Sequence, residues 1–124
     1  MNRELFKNNE LFYKADIERI IIKRNGESIT RASLIETIGL DPKDQNVDRW
    51  VRELLTKIEK EIPIGSASNG PKAGYFLLRT AEDLERVNKE NFKRAKSIMR
   101  RIRTSRLAYD RYWTEPNGQI KLAI

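Results

Sequence analysis

The sequence predicts a mainly α fold with a small β-hairpin, an α+β class, followed by a long C-terminal helix. Three observations carry this. Apolar residues recur at helical spacing in several separate segments. Two short extended runs flank a loop rich in Gly, Ser, Asn and Pro. From Thr80 to about Trp113 nothing breaks helix.

The opening residues, MNRELFKNNE, suit an N-terminal arm. The first helix is expected over residues 11–24, with Leu11, Ala15, Ile17, Ile21 and Ile22 near one face and Asn25-Gly26 as its stop. Glu27–Thr30 suits a small strand. Residues 31–38 predict a short helix with Leu34, Ile35 and Ile38 inward, ended by Gly39. A turn follows in LDPKDQN, where Pro42 disfavours helix at Asp41. Residues 46–60 give the strongest amphipathic pattern. Val47, Val51, Leu54, Leu55 and Ile58 share one stripe, with Arg49, Glu53, Thr56 and Lys60 opposite. Ile62–Ser66 and Tyr75–Arg79 read as two strands.

Thr80 opens the last helix. Thr80-Ala-Glu-Asp83 approximates a capping box with Asp at the third position. Positions 81, 85, 88, 92, 95, 99, 102, 106, 109 and 113 follow an alternating 4–3 spacing. Phe92, Met99, Ile102, Tyr109 and Trp113 make this a partial apolar seam, which Glu85, Asn88 and Arg106 interrupt. The pattern fits packing on the chain's own first helix as well as it fits a dimer. Residues 114–124 hold a Pro-Asn-Gly turn and an alternating Ile120, Leu122, Ile124 tail. The expected organisation is a domain over 1–80, the long helix as a possible dimerisation element over 81–113, and the tail over 114–124.

Between Lys93 and Arg106 lie seven basic residues in fourteen and no acidic one. The rest of the chain balances at 18 basic against 18 acidic residues, so the net charge of +7 sits on this segment. Charge gathered on one face points to a polyanionic partner. On a helix, Lys93, Lys96, Arg100 and Arg103 share one sector, and Ala95, Ile98 and Ile102 another. Such like charges cost a helix a few tenths of a kcal/mol per pair unless a polyanion meets them.

The chain has 124 residues, 39% hydrophobic and 35% charged, which suits one domain with a modest core. It has no Cys and no His, which removes two common metal ligands and the usual neutral-pH acid–base group. No enzyme activity, cofactor or metal site is expected. Apolar runs such as Ile20–Ile22 are far too short for a membrane span, and the N-terminus shows no signal core. A cytoplasmic protein with no membrane partner is expected.

The loop GSASNGPK resembles a phosphate loop only superficially, because Pro71 stands where that motif needs Lys. Asp41, Asp44 and Asp48 match no calcium-loop spacing, and turn and helix-start chemistry explains them better.

The segments RASLIETIGL, NVDRWVRELLTKIEKEIPI and GYFLLRTAEDLE follow in the order of a winged helix-turn-helix. In that order the chain resembles the winged-helix domains of biotin-repressor-type regulators. It more closely resembles small phage-encoded proteins of the same build from replication and regulation modules. The turn after Gly39 is longer and more acidic than the compact form, and Asp48 and Glu53 offset Arg49 and Arg52.

The resemblance implies double-stranded DNA as partner, with a role in replication initiation or transcriptional control and a homodimeric state. Gln45, Asn46, Arg49 and Arg52 are the candidates for base contact. Thr56, Lys60, Lys72, Lys93, Lys96, Arg100, Arg101 and Arg103 are the candidates for phosphate contact. Phe92, Met99, Ile102, Tyr109 and Trp113 are the candidates for dimerisation. A protein-interaction adaptor and an RNA-binding regulator remain the alternatives.

Overall fold

The computed structural model describes residues 1–68, 70 and 73–114. Its elements run α1 (Arg3–Asn8), α2 (Glu10–Arg24), α3 (Arg31–Thr37), α4 (Gln45–Glu59), β1 (Ile64–Ala67), β2 (Gly74–Leu77) and α5 (Ala81–Trp113). The architecture is mainly helical with one antiparallel hairpin and a long last helix, as the sequence predicts. The chain divides into two compact units, Met1–Val87 and Asn88–Ile124. Among the described residues, no helix is long and apolar enough to cross a membrane.

The first unit holds the core: Phe6, Ile17, Ile21, Ile29, Leu34, Ile35, Val47, Trp50, Val51, Leu54, Leu55, Ile58 and Ile64. α4 is its centre, with six buried residues along one stripe. The stripe includes Trp50, which extends the expected apolar set. Asp44 caps this helix by accepting from the Asn46 and Val47 amides.

The opening residues form a helix instead of an arm. Asn2 caps α1 by accepting from the Leu5 amide, and Phe6 enters the core against the rings of Tyr13 and Trp50, at centroid distances of 5.1 and 5.2 Å. This contact also corrects the expected face of α2. Ile17 and Ile21 are buried and Tyr13 and Ile20 pack beside them. Leu11, Ala15 and Ile22 lie on the outer side. Burying Phe6 and Trp50, with Tyr13 partly covered beside them, favours this face over one that would bury Leu11 and Ile22.

Asn25 ends α2 in the left-handed conformation, at φ 50° and ψ 49°. The stretch after it contributes a single bridge, Ile29 to Tyr75. Thr30 caps α3 by accepting from the Ser33 amide. Leu34 and Ile35 are buried, and Ile38 packs against the core.

The hairpin pairs Ile64 with Leu77, Gly65 with Phe76, Ser66 with Tyr75 and Ala67 with Gly74. The observed strands therefore differ from the expected spans by one to two residues at their ends. Pro63, which has no N–H, still accepts from Leu78 N–H at 2.8 Å. Gly74 explains the tight closure: a Cβ there would collide with the Ile29 carbonyl oxygen.

α5 starts as expected. The Thr80 hydroxyl accepts from the Asp83 amide at 3.1 Å, and the Asp83 carboxylate accepts from the Arg79 amide at 3.1 Å. The carboxylate thus reaches one residue further back than in the usual capping box. In the second unit α5 is exposed along its length, with only Trp113 partly covered. The expected tail residues Ile120, Leu122 and Ile124 lie outside the described residues.

Candidate nucleic-acid interface

In the first unit, the outer face of α4 gathers most of the candidates for base contact. A turn of 100° per residue places Gln45, Arg49, Arg52, Thr56 and Lys60 within one narrow sector, opposite the buried stripe. All five are exposed. Asn46 is exposed too but lies off this sector.

The strip carries less free charge than its residue types suggest. Asp48 accepts from Arg31 Nε at 2.5 Å through one oxygen and stands 3.5 Å from Arg52 Nε through the other. Arg31 also reaches the Tyr75 hydroxyl at 3.4 Å. The bond to Asp48 is the main reason that the Arg31 guanidinium is held above its ordinary pKa. Asp48 thereby ties α3, α4 and the hairpin together at the start of the strip. The Thr56 hydroxyl donates to the Arg52 carbonyl at 3.1 Å, so its proton is already committed. Arg49 and Lys60 have no carboxylate partner among the described residues, which leaves both cations available on the strip.

Asp44 is fixed at the head of α4. The N-terminal ammonium at 3.2 Å is the main cause holding its carboxyl below the usual range, with the Val47 and Asn46 amides adding to the effect against partial burial. Asp41 accepts from the Lys43 amide at 2.9 Å. Each of the three acids in this region therefore has a structural partner of its own.

Sequence reasoning passed over one feature of the first unit. Arg24, Arg79 and Arg86 line a polar cleft with Glu27 and Asp83. Arg24 donates to the Ser28 carbonyl at 2.7 Å, and Arg86 to Asp83 at 2.9 Å. These residues are far apart in sequence, and no local pattern announces their meeting.

In the second unit, the candidates for phosphate contact project from α5. Lys93, Lys96, Arg100 and Arg103 follow spacings of three, four and three, so they form one row about 15 Å long. Arg94 and Arg101 lie further round the helix. Among the described residues, none of these six has a carboxylate within ion-pair distance. Arg106, the seventh cation of the segment, pairs with Asp110 at 3.5 Å. Lys96 lies over the Phe92 ring at 5.0 Å from its centroid, which holds the ammonium at the border of the row and the apolar face.

That apolar face is open. Phe92 is 63% exposed, Met99 68%, Ile102 61% and Tyr109 63%. Tyr109 and Trp113 stand with ring centroids 6.4 Å apart. Lys72 lies outside the described residues.

Among the described residues, no group of three metal-ligating side chains comes together. No family model matches the chain, and neither does any curated protein or solved structure.

Proposed function

We propose that this protein binds double-stranded DNA through a winged helix-turn-helix and a basic helix. The observation that carries the reading is the row of carboxylate-free cations on α5, exposed and uninterrupted by acid from Lys93 to Arg103. A helix with this spacing suits a phosphate row better than base edges. The order α3, turn, α4, hairpin supports α4 as the element that enters the major groove. On it Arg49 and Gln45 present donors suited to guanine and adenine edges. Phosphates would be held chiefly by Lys93, Lys96, Arg100, Arg101 and Arg103, and register would come from α4. A small duplex binder of this kind fits replication initiation or transcriptional control.

Selection of bound sequences from a random duplex pool, at two salt concentrations, tests the reading. Neutralising about six phosphates gives a log–log salt slope near −5. A slope between zero and about −2 removes the electrostatic part. Reversing the charge of Arg100 and Arg103 weakens binding to all sequences alike, whereas Arg49→Ala costs preference for the selected site. If Arg49→Ala leaves that preference intact, α4 is not the reader.

One observation favours a second reading. Asp48, Glu53 and Glu59 leave the α4 strip near neutral, which suits a protein surface as partner. Capture of a partner that survives nuclease treatment, with no shift of any duplex, selects that reading.

A further inference from the structure

The open face of α5 raises a question separate from DNA: what covers it. We propose that it is covered by the same face of a second copy, with the two helices parallel and in register.

The argument rests on how charge is distributed beside the seam. Seam positions run through Asn88, Phe92, Ala95, Met99, Ile102, Arg106, Tyr109 and Trp113. One edge of that seam is made by Lys89, Lys96, Arg103 and Asp110, every one charged. The other edge is made by Asn91, Ile98, Ser105 and Tyr112, none of them charged. A paired helix meets these edges differently in its two orientations. Parallel helices set one edge against the opposite edge of the partner, five residues on. Asn91 then meets Lys96, Ile98 meets Arg103 and Ser105 meets Asp110, with no like charges between the flanking edges. Antiparallel helices set each edge against itself. Pairing the apolar stretch 92–102 with itself in this orientation sets Lys96 against its own copy and Lys89 against Arg103, which is repulsive.

Ile98, half exposed, widens the apolar face on the uncharged side. The aliphatic stems of Lys96 and Arg103 can lie over it with their charged heads in water. Arg106 is the one cation inside the seam. Its partner Asp110, one turn on, offsets the charge that two level Arg106 side chains would bring together. A single polar residue at such a seam position fixes register at some cost in stability. In the parallel pair both cation rows stay on the outer flanks, free for a polyanion.

The chain has no cysteine, so an introduced one reports alone. Asn88 is a polar interruption of the seam, and Asn88→Cys removes no apolar contact. In the parallel pair the two introduced thiols are level and form a disulfide under mild oxidation. In an antiparallel pair overlapping at 92–102 they stand at least about 16 Å apart and cannot. The experiment combines sedimentation equilibrium of the unmodified protein with oxidation of the Asn88→Cys variant, both without DNA. The expected result is a doubled mass at micromolar concentration and a disulfide-linked dimer. Ile102→Glu should weaken the association more than about tenfold. A monomer at every concentration overturns the proposal. So does a dimer in which the introduced thiols stay reduced. A monomer that instead floats with phosphatidylglycerol vesicles assigns the face to an anionic lipid surface and also overturns it. Because no DNA is present, none of these outcomes bears on the duplex-binding reading.

Discussion

Asp48 on α4 and Arg31 on α3 meet at 2.5 Å, and the carboxylate reaches Arg52 with its second oxygen. One acid therefore restrains two guanidinium groups at the edge of the α4 strip. Asp48→Asn releases both. Its side chain is 28% exposed, so the stability cost should stay near or below about 1 kcal/mol in urea unfolding. If α4 meets DNA, the same variant should bind all duplexes more tightly and steepen the salt slope by about one. Unchanged salt dependence would mean that Arg31 and Arg52 lie away from the phosphates.

Phe6 distinguishes a packed first helix from a loose arm. Only 4% of its surface is exposed, and it touches the rings of Tyr13 and Trp50. Phe6→Ala should cost roughly 3–5 kcal/mol, the range for an aromatic lost from a core. Urea unfolding followed by circular dichroism measures this. A loss under about 1 kcal/mol would show that α1 contributes little to the core.

Two glycines separate backbone strain from steric conflict. Gly39 has φ +87° with open space around it, and Gly39→Ala should cost about 1–2 kcal/mol. Gly74, at φ +115°, would also place its Cβ against the Ile29 carbonyl and the Thr30 nitrogen. Backbone cannot swing aside as a side chain can. Gly74→Ala should therefore cost clearly more than Gly39→Ala and loosen the hairpin. Amide exchange reads this at Ile29 and Tyr75, each of which donates to the other's carbonyl. Equal costs would refute the close approach.

Asp83 sets a pH dependence at the start of α5. The Arg79 amide is the main cause holding its carboxyl below the usual range, and the nearby Arg86 adds to it. A depressed carboxyl contributes stability above its unfolded value, roughly 3.9. That contribution is lost as pH falls through the lower folded value. Asp83→Asn should thus be less stable than the unmodified protein at neutral pH. The difference should close in strongly acidic solution, below the folded value. A difference that persists unchanged in acid would assign it to packing instead of charge.

The α4 stripe was legible in the sequence because Val47, Val51, Leu54, Leu55 and Ile58 repeat at helical spacing with polar residues between them. The capping of α5 was legible because Thr80 and Asp83 act within one turn. α1 was not, since a six-residue helix with one buried residue leaves no period to read. The face of α2 was misjudged for a related reason. Ile20, Ile21 and Ile22 are consecutive, so periodicity alone does not choose among them. The choice is made by Phe6 and Trp50, which come from other elements. The α4 strip was legible as a set of residue types. Its near neutrality was legible too, since Asp48 and Glu53 stand beside Arg49 and Arg52. The tie from Asp48 to Arg31 was not, because the two are 17 positions apart and meet only after folding.

The chain's two tryptophans fall in different units: Trp50 in the aromatic cluster of the first and Trp113 near the end of α5 in the second. Each unit thus carries its own optical reporter. With Trp113→Phe, the remaining emission follows the packing of the first unit alone. With Trp50→Phe, it follows the far end of the basic helix, so events in the two units can be timed separately in one cuvette.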